Sequence, residues 1–502
     1  MQRQATGSGS AALSESADPV HARRWWIFAI LGIAQLMIVL DITVVNIALP
    51  SAQKALHFSN NSREWVVTAY ALAFGSLLLA GGRIGDLFGR KRLFIASTIG
   101  FGVASAVGGA AQSFGMLVAA RGLQGVFAAL MAPAALSLVT NAFTDPRERG
   151  TAFGIWGAIG GGGAAVGLLL GGVLTQSLSW RWTLFVNLAF ALVAVVGAAA
   201  LLRRDVSSAR EPLDVPGTVM ATGGLFALVY GFAYAQNHSW GSSTTVACLA
   251  AGVLLLALFV AIQLRAAHPL MPLRVVLDRD RGGSFLALAI VGLGTFGVFL
   301  FLTYYLQGIQ HYSPSRTGIA FLPFAVLSVI SAGVANARVV PRTGPGPVVA
   351  LGMALSAIGM GLFAQLGLHS SYAANLLPGQ ILAGTGLGLV FAPATDFAIR
   401  GVKPGDAGVA SGLVNATNQV GGSLGLALLS TLAATATAHY LAGKQPSPSV
   451  MAHAAVHGYT TGFWWAAGFF AAGALITGLL MHGRAPHPTP QTENEAELQP
   501  AN

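Results

Sequence analysis

The chain is poor in charge. Asp, Glu, Lys and Arg make up 9% of its 502 residues, against about 25% in an ordinary soluble domain. So few charges cannot cover the surface of a soluble protein of this length, which excludes a string of soluble domains. Disorder is excluded by the same figures, because a disordered chain is poor in apolar residues and here 54% are hydrophobic. Cysteine is nearly absent. Cys248 stands alone, which rules out an internal disulfide framework and a cysteine-clustered metal site. No Walker loop is present, so ATP is not a direct energy source. The eleven histidines fall in tails, loops or near the ends of apolar runs, so no intramembrane histidine metal site is expected. The net charge of +10 is scattered singly between apolar runs. That pattern suits a membrane surface and argues against nucleic acid as a partner.

Long apolar runs are what the sequence has. A span needs roughly 20 apolar residues to cross the hydrocarbon layer. Fourteen runs qualify, at 26–49, 65–82, 93–111, 115–140, 151–174, 183–202, 215–236, 244–264, 282–309, 317–340, 346–366, 372–399, 408–440 and 457–481. The expected fold is an all-α integral membrane protein with 14 transmembrane helices. The first run is too long for a signal-peptide core and lacks a cleavage site, so it is read as retained. Residues 1–24 and 482–502 read as polar tails.

Lys and Arg placement orients the spans. With the N-terminus inside, 21 of the 27 basic residues fall on inner segments, and Lys54, Arg63, Arg181, Arg316 and Lys444 fall outside. That asymmetry predicts both termini in the cytoplasm of a multi-pass inner-membrane protein. Span five aligns with span thirteen at an offset of 258, pairing Gly150, Ala152, Gly154, Ala158, Gly163, Gly167 and Leu168 with Gly408, Ala410, Gly412, Ala416, Gly421, Gly425 and Leu426. The repeat predicts two six-helix halves, residues 25–202 and 282–481, with two inserted helices and their linkers in 203–281. Repeated halves with a site between them are a common build of secondary transporters.

Four motifs carry chemistry. Asp41 lies in Leu40–Pro50, two-thirds along span one. A carboxylate there costs about 2.5–3.5 kcal/mol on insertion scales, and low dielectric favours the neutral acid, which suits proton exchange. Arg121 opens Arg121-Gly122-Leu123-Gln124-Gly125 in span four. At 1.5 Å per residue Arg121 and Asp41 lie about 9 and about 12 Å from the outer surface, so an ion pair is expected, with snorkelling of Arg121 as the alternative. The corresponding region of the second half lacks a charge, which assigns proton chemistry to the first. The third motif is read as a loop after span two, Gly82-Arg83-Ile84-Gly85-Asp86-Leu87-Phe88-Gly89-Arg90. Its glycines suit a tight turn and close helix approach, and Asp86 and Arg90 are expected to hold the cytoplasmic ends together. The fourth is the ladder Gly163, Gly167 and Gly171 with Gly172, whose spacing of four bares one helix face and is expected to slide against the opposite half. Gly292–Gly297 and Gly421–Gly425 imitate a dinucleotide fingerprint and a nucleophile elbow, but both lie within apolar spans. An enzyme is not expected.

At these residues the sequence resembles the major facilitator superfamily, in its 14-helix drug:proton antiporter branch, over about residues 25–481. Gly82–Arg92 is similar to the superfamily's signature loop, Leu40–Pro50 to the branch's first-helix motif and Arg121–Gly125 to its fourth-helix motif. Ser179-Trp180-Arg181-Trp182, Tyr305-Leu306-Gln307 and Ala407–Gly425 add to the likeness. The resemblance implies that Asp41 is the coupling carboxylate, that Arg121 assists proton movement, and that Asp86 and Arg90 gate the cytoplasmic side. One departure stands out. The family's fifth-helix Gly-Pro-x-x-Gly-Gly is here Gly167-Leu168-Leu169-Leu170-Gly171-Gly172, without the proline.

The expectation is a proton-coupled exporter of hydrophobic or amphipathic small molecules, a monomer in the lipid bilayer, with no cofactor beyond the proton gradient. Proton-coupled uptake of a polar solute and a passive channel are the rival readings. Gln35, Asn46, Tyr70, Gln124, Tyr304, Gln307, Asn415 and Asn418 are the expected polar and aromatic lining of a substrate cavity.

Overall fold

The computed structural model describes residues 19–481 except 60, 61, 64, 144, 203–213, 236, 237, 267, 268, 270–272, 400, 401, 403–406 and 446. Among the described residues every regular element is helical; besides a single turn at Leu273–Val276 these are α1 (Pro19–Leu56), α2 (Trp65–Phe88), α3 (Arg90–Gly109), α4 (Phe114–Ala142), α5 (Pro146–Ser177), α6 (Trp182–Leu201), α7 (Val215–Ala235), α8 (Ser243–Gln263), α9 (Arg279–Ile309), α10 (Pro314–Thr343), α11 (Pro345–Phe363), α12 (Tyr372–Ile399), α13 (Ala407–Leu441) and α14 (Pro448–Leu480). Thirteen of these are long and apolar enough to cross a membrane, and α2 is apolar over the shorter stretch Trp65–Leu78. α1 begins at Pro19, inside the expected polar tail.

The turns explain why the runs break where they do. Ser113, Ser242, Asp278, Ser313 and Ser447 accept from the backbone N–H three residues on, capping α4, α8, α9, α10 and α14. Pro50, Pro133 and Pro393 lie inside α1, α4 and α12 and remove one backbone donor each. Three π-turns close α9 (Tyr305–Ile309), interrupt α10 (Ala335–Val339) and open α12 (Tyr372–Leu376).

α1 to α6 pack on one another, α9 to α14 do the same, and the two bundles meet along a seam. In the first, α2 and α4 approach closely because a side chain at Gly81 would collide with the Ala129 carbonyl and one at Gly125 with that of Tyr70. Arg24 of α1 pairs with Glu148 of α5 at the end of the bundle that carries the termini. α7 packs on both α2 and α13, over a small core of Leu72, Val229 and Ala427, and α8 packs on α7 at the periphery. Thr222 of α7 donates to the Ser76 carbonyl of α2 (3.0 Å), and Thr431 of α13 donates to the Phe232 carbonyl of α7 (2.7 Å).

Candidate functional site

Asp41 and Arg121 meet inside the first bundle. Arg121 Nη1 donates to Asp41 Oδ2 at 2.5 Å, and both side chains are buried, at 0% and 1% relative exposure. Such burial excludes snorkelling of Arg121. Asp41 Oδ1 accepts from Gln124 Nε2 (2.9 Å) and from Asn187 Nδ2 (2.8 Å). Both amides also donate to Ser105 Oγ, at 2.6 and 3.2 Å. Arg121 donates from Nε to the Val66 carbonyl (3.1 Å) and from Nη1 to Gln124 Oε1 (2.9 Å), and its guanidinium lies 4.4 Å from the ring centre of Tyr70. Among the described residues the partners of this carboxylate come from α4 and α6, with Ser105 of α3 behind them, all in the first half. A narrow apolar void lined by Val45, Ala48, Val66, Leu117 and Thr183 lies one helical turn nearer the end opposite the termini.

A buried ion pair is tolerable when the remaining donors and lone pairs are also satisfied, and here two amides and a backbone carbonyl do so. Neutralising Asp41 would remove the electrostatic hold on Arg121. The arrangement can therefore register one proton as a change in how α1 is tied to α4 and α6.

The surrounding helices are fixed by small residues and one cap. Gly163, Gly167 and Gly171 face α1: side chains there would meet Leu36 and Val39, Thr43, and Val44. The ladder thus packs within its own half. The expected contact with the opposite half is corrected to Gly172 alone, where a Cβ would lie 2.7 Å from the Pro314 carbonyl and 2.8 Å from Ser315 Cα of α10. The reason is periodicity: a spacing of four keeps three glycines on one face, while Gly172, one residue later, turns about 100° away. Arg181 Nη1 donates to the carbonyls of Gly109 (2.8 Å) and Ala111 (2.6 Å), capping α3 and holding it beside α6.

The expected loop at Gly82–Arg90 is corrected to continuous helix up to Phe88, broken at one residue, Gly89, whose φ of 90° favours glycine, before α3 begins at Arg90. Gly82 and Gly85 serve packing inside α2, against Pro133 of α4 and Leu93 of α3. The side chains of Arg83 and Asp86 lie outside the described residues.

The cavity candidates separate into two groups. Tyr70 and Gln124 belong to the Asp41 network. Asn46 donates back to the Ile42 carbonyl (3.1 Å) with its Oδ1 unpartnered, and Asn418 of α13 donates to the Leu288 carbonyl of α9 (3.1 Å). Gln307 of α9 crosses the seam to the Ile47 carbonyl of α1 (3.0 Å), one turn before Pro50. Tyr304 also stands at the seam: the Arg63 guanidinium lies 3.4 Å from its ring centre and donates to Tyr459 Oη (3.1 Å). Gln35 and Asn415 are half-buried on α1 and α13. The contacts of Gly172, Gln307 and Arg63 close the seam at the end opposite the termini.

Two members of the network, Ser105 and Asn187, lie outside the expected set. Asn187 leaves a trace, as the one amide in the apolar run 182–202. Ser105 leaves none, because serine in an apolar helix commonly bonds to its own backbone, as Ser97 and Thr98 on the same helix do.

Comparison with known proteins agrees with this architecture. The protein is 48% identical over 475 residues to the puromycin resistance protein pur8 of Streptomyces alboniger, and the match spans 94% of both sequences. It is 38% identical to the cephamycin export protein CmcT of Amycolatopsis lactamdurans, over 80% of this sequence and 84% of that one. The tetracenomycin C resistance and export protein of Streptomyces glaucescens is 34% identical, over 84% of this sequence and 78% of that one. Among solved structures, the POT family transporter PepTSo shares the fold, with a TM-score of 0.67 at 17% identity over 91% of this sequence and 97% of that one. The sequence pattern of the Major Facilitator Superfamily matches residues 31–426, and this chain belongs to that family of membrane transporters.

Proposed function

We propose that the protein exports amphipathic small molecules, antibiotics among them, in exchange for protons, and that Asp41 carries the coupling proton. The observation that carries this reading is the buried Asp41–Arg121 pair with its amide partners. A transporter half that buries a full charge pair retains a device whose packing changes on protonation. The names of the relatives support the substrate class, since puromycin resistance, cephamycin export and tetracenomycin C export all concern antibiotics. The excess of Lys and Arg at the end bearing the termini supports a cytoplasmic location for both. On that orientation, Gln307, Arg63 and Gly172 shut the outer end. Arg121 holds Asp41 while it is charged, and a proton arriving from outside loosens that hold. The halves then rock about the seam.

The test is transport by reconstituted protein with puromycin as the cargo and an imposed pH gradient as the drive. Asp41→Asn keeps the shape and removes the titrating group, so gradient-driven transport should disappear while the protein remains folded. Undiminished transport by that variant would move coupling elsewhere.

A further inference from the structure

A proton carrier in hydrocarbon needs partners in both of its charge states, and the inference below rests on the proposed role of Asp41. While charged, Asp41 accepts from Arg121, Gln124 and Asn187. Once neutral, its new O–H needs an acceptor. The side-chain acceptors in the network are already engaged: Gln124 Oε1 takes Arg121 Nη1, and Ser105 Oγ takes both amides. Asn187 Oδ1 is different. It is buried, has no partner, and belongs to a residue whose amide nitrogen already touches the carboxylate.

An amide nitrogen and oxygen are nearly equal in size, and the terminal torsion of asparagine is soft. A half-turn about it would bring Oδ1 to the place now held by Nδ2, 2.8 Å from Asp41 Oδ1. In either orientation one end of the amide stays unpaired, so the turn by itself changes little. The charge of Asp41 decides which orientation is preferred. The carboxylate prefers the N–H donor, and the acid prefers the carbonyl acceptor.

We propose that Asn187 is the positioning residue that takes over Asp41 on protonation by turning its side-chain amide. One proton binds Asp41 Oδ1 and one O–H bond forms. Asp41 passes from −1 to neutral, and no covalent bond breaks. The new O–H donates to Asn187 Oδ1. Arg121 keeps its charge and its bonds to the Val66 carbonyl and Gln124 Oε1. Ser105 suits the exchange because a hydroxyl can accept from Nδ2 in one state and donate to Oδ1 in the other. Among the described residues at this network, the charged or titratable groups are Asp41 on α1, Arg121 on α4 and Tyr70 on α2. α3 and α6 bring Ser105 and Asn187, and α5 brings its glycine face. With one proton the tie from α4 loses its charge, while the tie from α6 is kept by the turned amide.

Infrared difference spectra between high and low pH, on the full-length protein in lipid vesicles, test this. A carboxylic-acid C=O band that disappears in Asp41→Asn should rise together with a shift of an asparagine amide carbonyl band. That second band should move on [13C]asparagine labelling of the wild type and vanish in Asn187→Leu. Transport by Asn187→Leu should fall about tenfold, the scale of a hydrogen bond to a charged group. Asn187→Ser, which still donates and accepts, should recover part of it. An Asp41 band that titrates with no labelled asparagine band following it in the wild type would overturn the amide turn and leave the carrier role standing. Absence of any Asp41-dependent acid band would instead overturn the carrier role, and the amide turn with it.

Discussion

In the first half the middle of the bundle holds Asp41 and Arg121. Positions 258 residues further on hold Phe299 and Gly379. Phe299 lies edge-on to Phe321 (5.5 Å) and Phe324 (5.6 Å), and a side chain at Gly379 would run into Phe363. The same place in the repeat is thus charged and hydrogen-bonded in one half, and aromatic and close-packed in the other. Aromatic packing has no protonation state to lose, so the second half has nothing there for a proton to act on. The second half carries its irregularity in the backbone instead, with π-turns in α9, α10 and α12. One bundle thus holds a charge pair where its counterpart is held by packing alone.

Arg121→Leu has the largest expected effect, because it leaves Asp41 buried without its cationic partner. An uncompensated buried charge costs about 3–5 kcal/mol, so the variant should lose most of its thermal stability in detergent. Adding Asp41→Leu should recover much of that stability and none of the transport, and a cycle of the two single variants and the double one measures the coupling. In the second half, Phe299→Leu should leave gradient-driven transport in place.

Gly167→Val comes next. The new side chain meets Thr43, a β-branched residue whose hydroxyl is bonded to the carbonyls of Val39 and Leu40. Overpacking of this kind costs about 1–3 kcal/mol. At its repeat partner Gly425 a Cβ would lie 2.4–2.7 Å from Leu293 Cγ, Cβ and Cα, so the obstruction includes atoms that no side-chain rotation can move. Transport assays of Gly167→Val and Gly425→Val should therefore show a loss at Gly425 at least as large as at Gly167.

Arg63→Gln addresses the seam between the halves. A cation–π contact contributes about 0.5–2 kcal/mol depending on its exposure. Its loss should make a cysteine at position 459, in Tyr459→Cys, react several-fold faster with a membrane-impermeant thiol reagent than it does with Arg63 in place.

Gln380 is fully buried in the second half, and neither end of its amide finds a partner. Gln380→Leu removes an unsatisfied polar group, so it should be neutral or raise stability by about 1 kcal/mol in a melting experiment, with transport retained.

The sequence makes some of this legible and hides the rest for physical reasons. Asp41 and Arg121 stand out because charge is rare in an apolar run, and their shared depth follows from the rise of a helix. The loop reading of Gly82–Arg90 fails because glycine also sits within helices, and here Gly82 and Gly85 make ordinary packing contacts with Pro133 and Leu93 while Gly89 alone makes the turn. Which half the glycine ladder faces depends on the azimuth of α5 in the bundle, and periodicity along one helix is silent on that. Asn187 is visible as an amide in an apolar span. Its meaning depends on α3 and α6 lying side by side, which is a property of the packed bundle.

The hydroxyl bonds from Thr222 to Ser76 and from Thr431 to Phe232 fasten α7 to α2 on one side and to α13 on the other. The inserted pair is therefore not cargo carried by a twelve-helix machine. Any swing of one bundle against the other must stretch, swivel or break one of these two fastenings, each worth about 1 kcal/mol. α7 is thus a bridge between the bundles, and the inserted helices are mechanically part of the fold that holds the halves together.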